Sequence, residues 1–359
     1  MSARIVRPAP ERLGARLPPD AGRKRKTIRD VAALAGVDAS LVSRVLNDHP
    51  KASASPATRE RIRDAARTLG YQPNVVARGL RMARTWTLGL LLPNLSNPMY
   101  ADIARAAERR ALDRGFGLIF GTNVDGEEEA TFARLLQQGR VDGLLAASGA
   151  LGDGSLRRVA DAGHGPVVML NRRVRGVRPS VTLDDAAGAA LATAHLAGLG
   201  HRHVAGIFGV GTIDTIRRRR AGFLAAGKEA GIATTVIEAA GLDAAAGREA
   251  AVGFFRARSE ATAIFASTFA IGVGALRAAR EEGVRIPDDL SLIALHDSEL
   301  ADYLSPPMTT VGLPVGEMAH RAVDLLIDLI EGARPYSVVV DSAPVLKERG
   351  STAPPKVSG

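Results

Sequence analysis

Cysteine is absent from the chain, which excludes disulfides and thiolate chemistry and makes the cytoplasm the simplest expected location. No run approaches the roughly 18 consecutive apolar residues that a membrane span needs, so no membrane partner is expected. The opening residues carry Arg4, Arg7, Pro8, Pro10 and Arg12 instead of a charged stub followed by an apolar stretch, and do not read as a secretory leader. Catalytic signatures are missing too. There is no HExxH, GxSxG or P-loop, and no serine, histidine and acid set that spacing alone assembles. No cofactor and no metal site is expected.

What is present fits a soluble protein of more than one domain: 359 residues, 46% apolar and 24% charged. The net charge of +9 is unevenly placed. Residues 1–84 hold 18 Lys and Arg against seven Asp and Glu, while the remainder holds 29 against 31. All the excess positive charge lies at one end, as expected of a protein that meets a polyanion there.

Residues 1–26, rich in Arg, Pro and Gly and ending in Arg23-Lys24-Arg25-Lys26, read as a disordered basic extension. Order begins at Thr27, an N-cap with Asp30 three residues later, followed by an apolar stripe of Ile28, Val31, Ala32 and Leu34 and a turn at Gly36. Asp38 caps a second helix, in which Val42, Val45 and Leu46 face inward and Ala39, Ser40, Ser43 and Arg44 face out. Two short helices about a glycine turn describe a helix-turn-helix. A third helix starts at Ser55-Pro56, buries Ile62, Ala65, Ala66 and Leu69, and stops at Gly70, completing a head over residues 27–72. Asn74 to Arg81 is helix-length but carries a glycine and is too short to be stable alone, so 73–84 reads as a hinge helix and linker.

From Trp86, strand-like runs alternate with amphipathic helices: TLGLLLP, GLIFGT, VDGLLAAS, PVVMLN, SVTLDD, HVAGIFGV, TTVIEA, TAIFAS, SLIALH and TTVGLP. Such alternation predicts parallel sheets covered by helices, and about ten strands favour two α/β lobes with a ligand cleft between them over residues 85–346. Residues 347–359 read as a disordered tail.

The segments TIRDVAALAGVDASLVSRVLN and TRERIRDAARTLGYQPNVVARGL closely resemble the LacI/GalR-type (lactose repressor) family of bacterial regulators. LGLLLPNLSNPMYADI, RVDGLLAAS, HLAGLGHRHVAGIFG, RRRRAGF, ALRAAREEGVRIPDDLSLIALHD and PPMTTVGLP resemble that family's effector domain, in order, so the resemblance spans roughly residues 27–350. It implies a helix-turn-helix head with a hinge helix on a two-lobed periplasmic-binding-protein-like body. It also implies a homodimer whose heads straddle palindromic operator DNA, and regulation by a small-molecule effector.

By that resemblance Arg44 reaches a guanine edge in the major groove, where a guanidinium bonds O6 and N7 together; a phosphate-bound or structural arginine is the alternative. Ala39 and Ser40 hold the positions that distinguish operators. Leu41 departs from the family's usual threonine. Thr27, Ser43, Asn47, Lys51 and Asn74 are expected on phosphates, and the segment from Lys51 to Thr58 is about two residues longer than in typical members. In the hinge, with Ala77 on the same short helix, Leu80 is expected to wedge the minor groove while Arg78 and Arg81 hold the flanking backbone.

By the same resemblance the effector cleft is expected to be lined by Asn97, Tyr100, Asn171, Arg217, Thr268, Phe269 and His296, and each follows a strand's carboxyl end. Asn171, Thr268-Phe269 and His296 replace acidic or Asn-Asp positions of the family's sugar sites, leaving Arg217 less neutralised. An anionic or aromatic metabolite therefore rises against a neutral sugar, while Arg218 to Arg220 read as a solvated helix face. Two other readings stay open: a body that is only a dimerisation scaffold, and a dinucleotide enzyme using GIFGVG at Gly206 to Gly211 with Glu238. The tail after Val340 has no leucine heptads, so a dimer is expected in preference to a tail-assembled tetramer.

Overall fold

The computed structural model describes residues 26–46, 53–71, 84–93, 95, 97–122, 128–147 and 153–356. They fall into two compact units, dividing at Leu80 and Arg81.

The first unit is built on α1 (Ile28–Ala35), α2 (Ala39–Leu46) and α3 (Pro56–Leu69). Capping signals set their limits. The Asp30 carboxylate accepts from the Thr27 backbone N–H at 2.7 Å and from its hydroxyl at 2.9 Å, and the Ser55 hydroxyl accepts from Thr58 N at 3.2 Å. Gly36 and Gly70 end their helices in the left-handed region, at φ 64° and 61°. Val31, Ala32, Ala35, Val42, Val45, Ile62, Ala65 and Ala66 form the core. Leu34, expected in the apolar stripe, is instead 53% exposed, and Ala35 takes the buried position one residue on.

The second unit contains two sheets. The first holds β1 (Thr87–Leu92), β2 (Gly117–Thr122), β3 (Gly143–Ala146), β4 (Val167–Leu170), β5 (Ser180–Thr182) and the late β11 (Val338–Val339), in the order β11-β5-β4-β3-β1-β2 and all parallel. The second holds β6 (His203–Phe208), β7 (Ala233–Glu238), β8 (Ala263–Ala266), β9 (Ser291–Leu295), β10 (Thr309–Gly312) and β12 (Val345–Lys347), in the order β12-β10-β9-β8-β6-β7, with β12 alone antiparallel. Central strands such as β3, β4, β8 and β9 are buried throughout, which is why they read as unbroken apolar runs.

Helices α4 (Pro98–Asp113), α5 (Glu128–Gln137), α6 (Asp153–Asp161) and α11 (Val315–Ile330) belong to the first lobe. Helices α7 (Asp185–Gly198), α8 (Asp214–Glu229), α9 (Ala244–Arg256) and α10 (Phe269–Glu281) belong to the second. The chain therefore passes between lobes three times: after β5, after β10, and between β11 and β12. Close helix approach rests on glycine at Gly222 of α8, where a Cβ would meet the Ala186 carbonyl oxygen at 2.1 Å.

The expected disordered tail is corrected over residues 347–356. Ser351 is fully buried, accepts from Thr309 N at 2.8 Å and donates to the Leu292 carbonyl at 2.5 Å. Lys356 pairs with Asp289 at 2.8 Å. Backbone donors of the second sheet that would otherwise lie buried without acceptors hold this segment in place.

Candidate DNA-binding face and ligand cleft

On the head, α2 turns Val42 and Val45 into the core, which leaves Ser40 and Arg44 exposed one turn apart on the opposite face. Among the described residues, the Arg44 guanidinium bonds Ser40, at 3.2 Å to its carbonyl and 3.5 Å to its hydroxyl. Ala39 and Ser43 are half-buried, and Ala39 packs against the core cluster, so it presents less surface than expected. Thr27 is exposed at the start of α1. Asn47, Lys51, Asn74, Ala77, Arg78, Leu80 and Arg81 lie outside the described residues.

In the body a cavity of about 450 Å³ opens between the two lobes. The first lobe supplies Pro93, Asn97 and Tyr100 beyond β1, Ala147 beyond β3, and Leu170, Asn171 and Arg172 at the end of β4. The second supplies Val210, Thr212, Ile213 and Thr215 beyond β6, Ala240 to Ala244 beyond β7, and Ala270. Carboxyl ends of parallel strands thus face one another across the cavity, as α/β ligand sites require.

Three of the expected cleft residues line it: Asn97, Tyr100 and Asn171. Asn97 is also the N-cap of α4, its carboxamide oxygen accepting from Met99 N at 3.2 Å. Desolvation pushes the Tyr100 phenol up, against the opposing influence of Arg219 and Arg172, so it stays neutral and can donate. Asn171 sits at φ 61° directly after β4, and its buried Oδ1 has no hydrogen-bond partner among the described residues. Asn tolerates the left-handed conformation better than most residues.

Four do not line it. Arg217 is largely exposed, bonds the Thr212 carbonyl at 3.3 Å and lies 3.6 Å from Asp214. Thr268 caps α10, accepting from Ile271 N at 3.1 Å and donating to Leu242 O at 3.3 Å. Phe269 is buried in the second lobe's core, where no ligand ring can stack on it. His296, at φ 70° after β9, is 2% exposed and lies against Arg219.

The expectation of a solvated Arg218 to Arg220 face is likewise corrected, although Arg220 is exposed. Arg219 is 2% exposed and donates to Asp185 at 2.7 Å, to the Ser267 carbonyl at 2.8 Å and to His296 Nε2 at 2.7 Å. Arg218 lies 2.6 Å from Asp185 and 3.2 Å from Asp214. Burial of these cations is matched by two carboxylates, so the local charge is balanced and not left positive. The cavity's own lining charges are Arg172 and Asp243, the latter committed as the N-cap of α9 through Ala246 N at 2.8 Å. Arg172, Thr212, Thr215 and Asp243 were not anticipated. Their position beyond the carboxyl ends of β4, β6 and β7 was the available signal.

The profile of bacterial regulatory proteins of the lacI family matches residues 27–74, and that of a periplasmic binding protein-like domain matches residues 193–352. The transcriptional regulator DegA of Bacillus subtilis (strain 168) is 34% identical over 92% of this chain and 99% of its own length. The chain belongs to the LacI family. It is a DNA-binding transcriptional regulator. Among solved structures, the lac repressor dimer bound to operator and the anti-inducer ONPF superposes with a TM-score of 0.78 at 27% identity, covering 92% of this chain and all of that one. The complex of the regulator CelR with cellobiose superposes at 0.68 with 31% identity, covering 91% and 100%. These relatives of the LacI-family chain are regulators, not enzymes, which overturns the dinucleotide-enzyme reading of GIFGVG. In the structure, Gly211 N donates to Glu238 at 3.3 Å in that loop. No helix among the described residues is long and apolar enough to cross a membrane.

Proposed function

We propose that this LacI-family regulator binds palindromic operator DNA as a homodimer and that a small metabolite in the interlobe cavity sets its DNA affinity, acting most simply as a repressor. The carrying observation is the cavity itself: both lobes line it, so an occupant that favours one lobe arrangement shifts the population of that arrangement. Exposed apolar side chains supply surface for self-association: Leu112, Ile119 and Phe120 on the first lobe, Leu300 and Tyr303 on the second. The operator-bound lac repressor dimer and the cellobiose-bound CelR, both similar in fold, support the two halves of the reading.

The lining favours an effector of mixed polarity. Asn171 Oδ1 asks for a donor, Arg172 brings a positive charge to the lining, and Leu170, Ile213 and Leu242 suit an apolar body. Sequencing genomic DNA captured by the full-length protein tests the first half, and inverted-repeat sites are the expected result. A thermal-shift screen of sugars, sugar acids and other carboxylated metabolites tests the second. A shift by one chemical class supports the sensor, while none across the screen leaves the body a dimerisation scaffold.

A further inference from the structure

Beside the cavity the lobes are joined by a short set of polar contacts. The segment Asn171-Arg172-Arg173 leaves β4 of the first lobe and contributes two polar side chains to the cavity lining. Its backbone is gripped from the second lobe at both ends. Arg218 Nη2 donates to the Asn171 carbonyl at 3.4 Å, and Asp214 Oδ2 accepts from Arg173 N at 3.0 Å. Asp214 Oδ2 also receives Arg218 Nε at 3.2 Å, one helical turn away on α8.

We propose that Arg218 and Asp214 are positioning residues that latch the Asn171–Arg173 segment to the second lobe and so couple occupation of the cavity to lobe arrangement. The proposal rests on the cavity being the effector site. Two features make the pair a latch and not only a brace. Arg218 is anchored on its far side by Asp185 at the start of α7, 2.6 Å from Nη1, and so stays with the second lobe when the lobes part, while the same Nη1 donates at 2.6 Å to the carbonyl of Leu183 in the crossover after β5. Among the described residues, this pair holds the Asn171–Arg173 segment by hydrogen bonds to backbone groups, whereas the ion pairs of Arg218 with Asp185 and Asp214 lie within the second lobe. Opening therefore releases the backbone of the segment and leaves the ion pairs intact within the second lobe.

Hydrogen exchange on the full-length chain, without ligand, tests the latch independently of the effector reading. In Asp214→Asn and Asp214→Ala, amides of residues 171–175 should exchange at least tenfold faster, while those of Ser291–Leu295 in the second sheet stay unchanged. Arg218→Lys, which keeps the charge beside Asp185 but loses the reach to the Asn171 carbonyl, should do the same and guards against misfolding of the Asp214 variants. Because the chain lacks cysteine, Arg105→Cys and Arg277→Cys place spin labels on exposed positions of the two lobes. The interlobe distance distribution should broaden in the latch variants and return with Asp214→Glu. Unchanged exchange at 171–175, equal acceleration throughout the core, or an unmoved distance distribution each overturns the latch. A latch that passes these tests in a chain that no metabolite stabilises would leave the device standing and sink the effector reading.

Discussion

Arg219 Nη2 lies 2.7 Å from His296 Nε2 in the interior of the second lobe. Since a guanidinium can only donate, His296 must accept at Nε2 and carry its proton on Nδ1. Desolvation first, and the Arg219 charge second, hold the imidazole well below its ordinary titration range.

A pH dependence follows from that neutrality. In the unfolded chain His296 binds a proton as pH falls below about 6.5, whereas in the folded protein it does not, so acid favours unfolding. Its contribution is fully present above that value and is lost below it, at up to roughly 1.4 kcal/mol per pH unit. His195 and His201, also lowered by burial, act in the same direction. Denaturant titrations between pH 5 and 8 should show stability falling toward pH 5, with a shallower slope in His296→Asn. A slope identical to that of the parent protein would remove His296 as the cause.

Neighbouring arginines should behave oppositely. Arg219→Met removes a buried cation and its bonds to Asp185, Ser267 and His296, and should destabilise the body by about 3 kcal/mol or more. Arg217→Met, at a largely exposed side chain, should change stability by less than about 0.5 kcal/mol. Thermal denaturation of the two variants is the comparison, and equal losses would contradict the burial difference.

How far the sequence could be read depended on which property each residue expressed. The ten strands of the body and the three helices of the head declare themselves by apolar runs, spacing and capping residues such as Thr27, Ser55 and Gly70. Strands β11 and β12, two and three residues long, carry no pattern to detect. Asn97, Tyr100 and Asn171 were named through the family resemblance, and each follows a strand end. His296 follows one too, but nothing local says that it turns inward to Arg219. Four consecutive arginines concealed the phase of α8, since two positions along a helix rotate a side chain by about 200°. Arg219 shares its buried face with Ile216 and Phe223, at i−3 and i+4, and that spacing was the readable clue.

Ser351 gives a sharp test of the ordered C-terminal segment. Ser351→Ala leaves the Thr309 backbone N–H without the hydroxyl it donates to, in a fully buried setting. An unmet buried donor costs about 1–3 kcal/mol, so the melting temperature should fall by several degrees. An unchanged melt would mean that residues 348–356 do not pack as described. DNA affinity at a temperature well below the melt should be unaffected, because the substitution lies against the second lobe's sheet and not on the head.

Arg44 separates base reading from simple attraction to phosphate. It is exposed, and its bonds to Ser40 at 3.2 and 3.5 Å are long enough to exchange readily for a base edge. A bidentate arginine to guanine is worth about 1–3 kcal/mol of discrimination, so Arg44→Ala should lower the preference for operator over random DNA by roughly five- to over a hundredfold. The melting temperature should not move, since no buried group depends on the side chain. A phosphate contact would instead weaken operator and random DNA alike and reduce the salt dependence of both by about one ion. Anisotropy titrations on captured operator and scrambled duplexes, at two salt concentrations, distinguish these results: equal losses on the two duplexes would place Arg44 on the backbone, and a loss confined to operator would place it at a base.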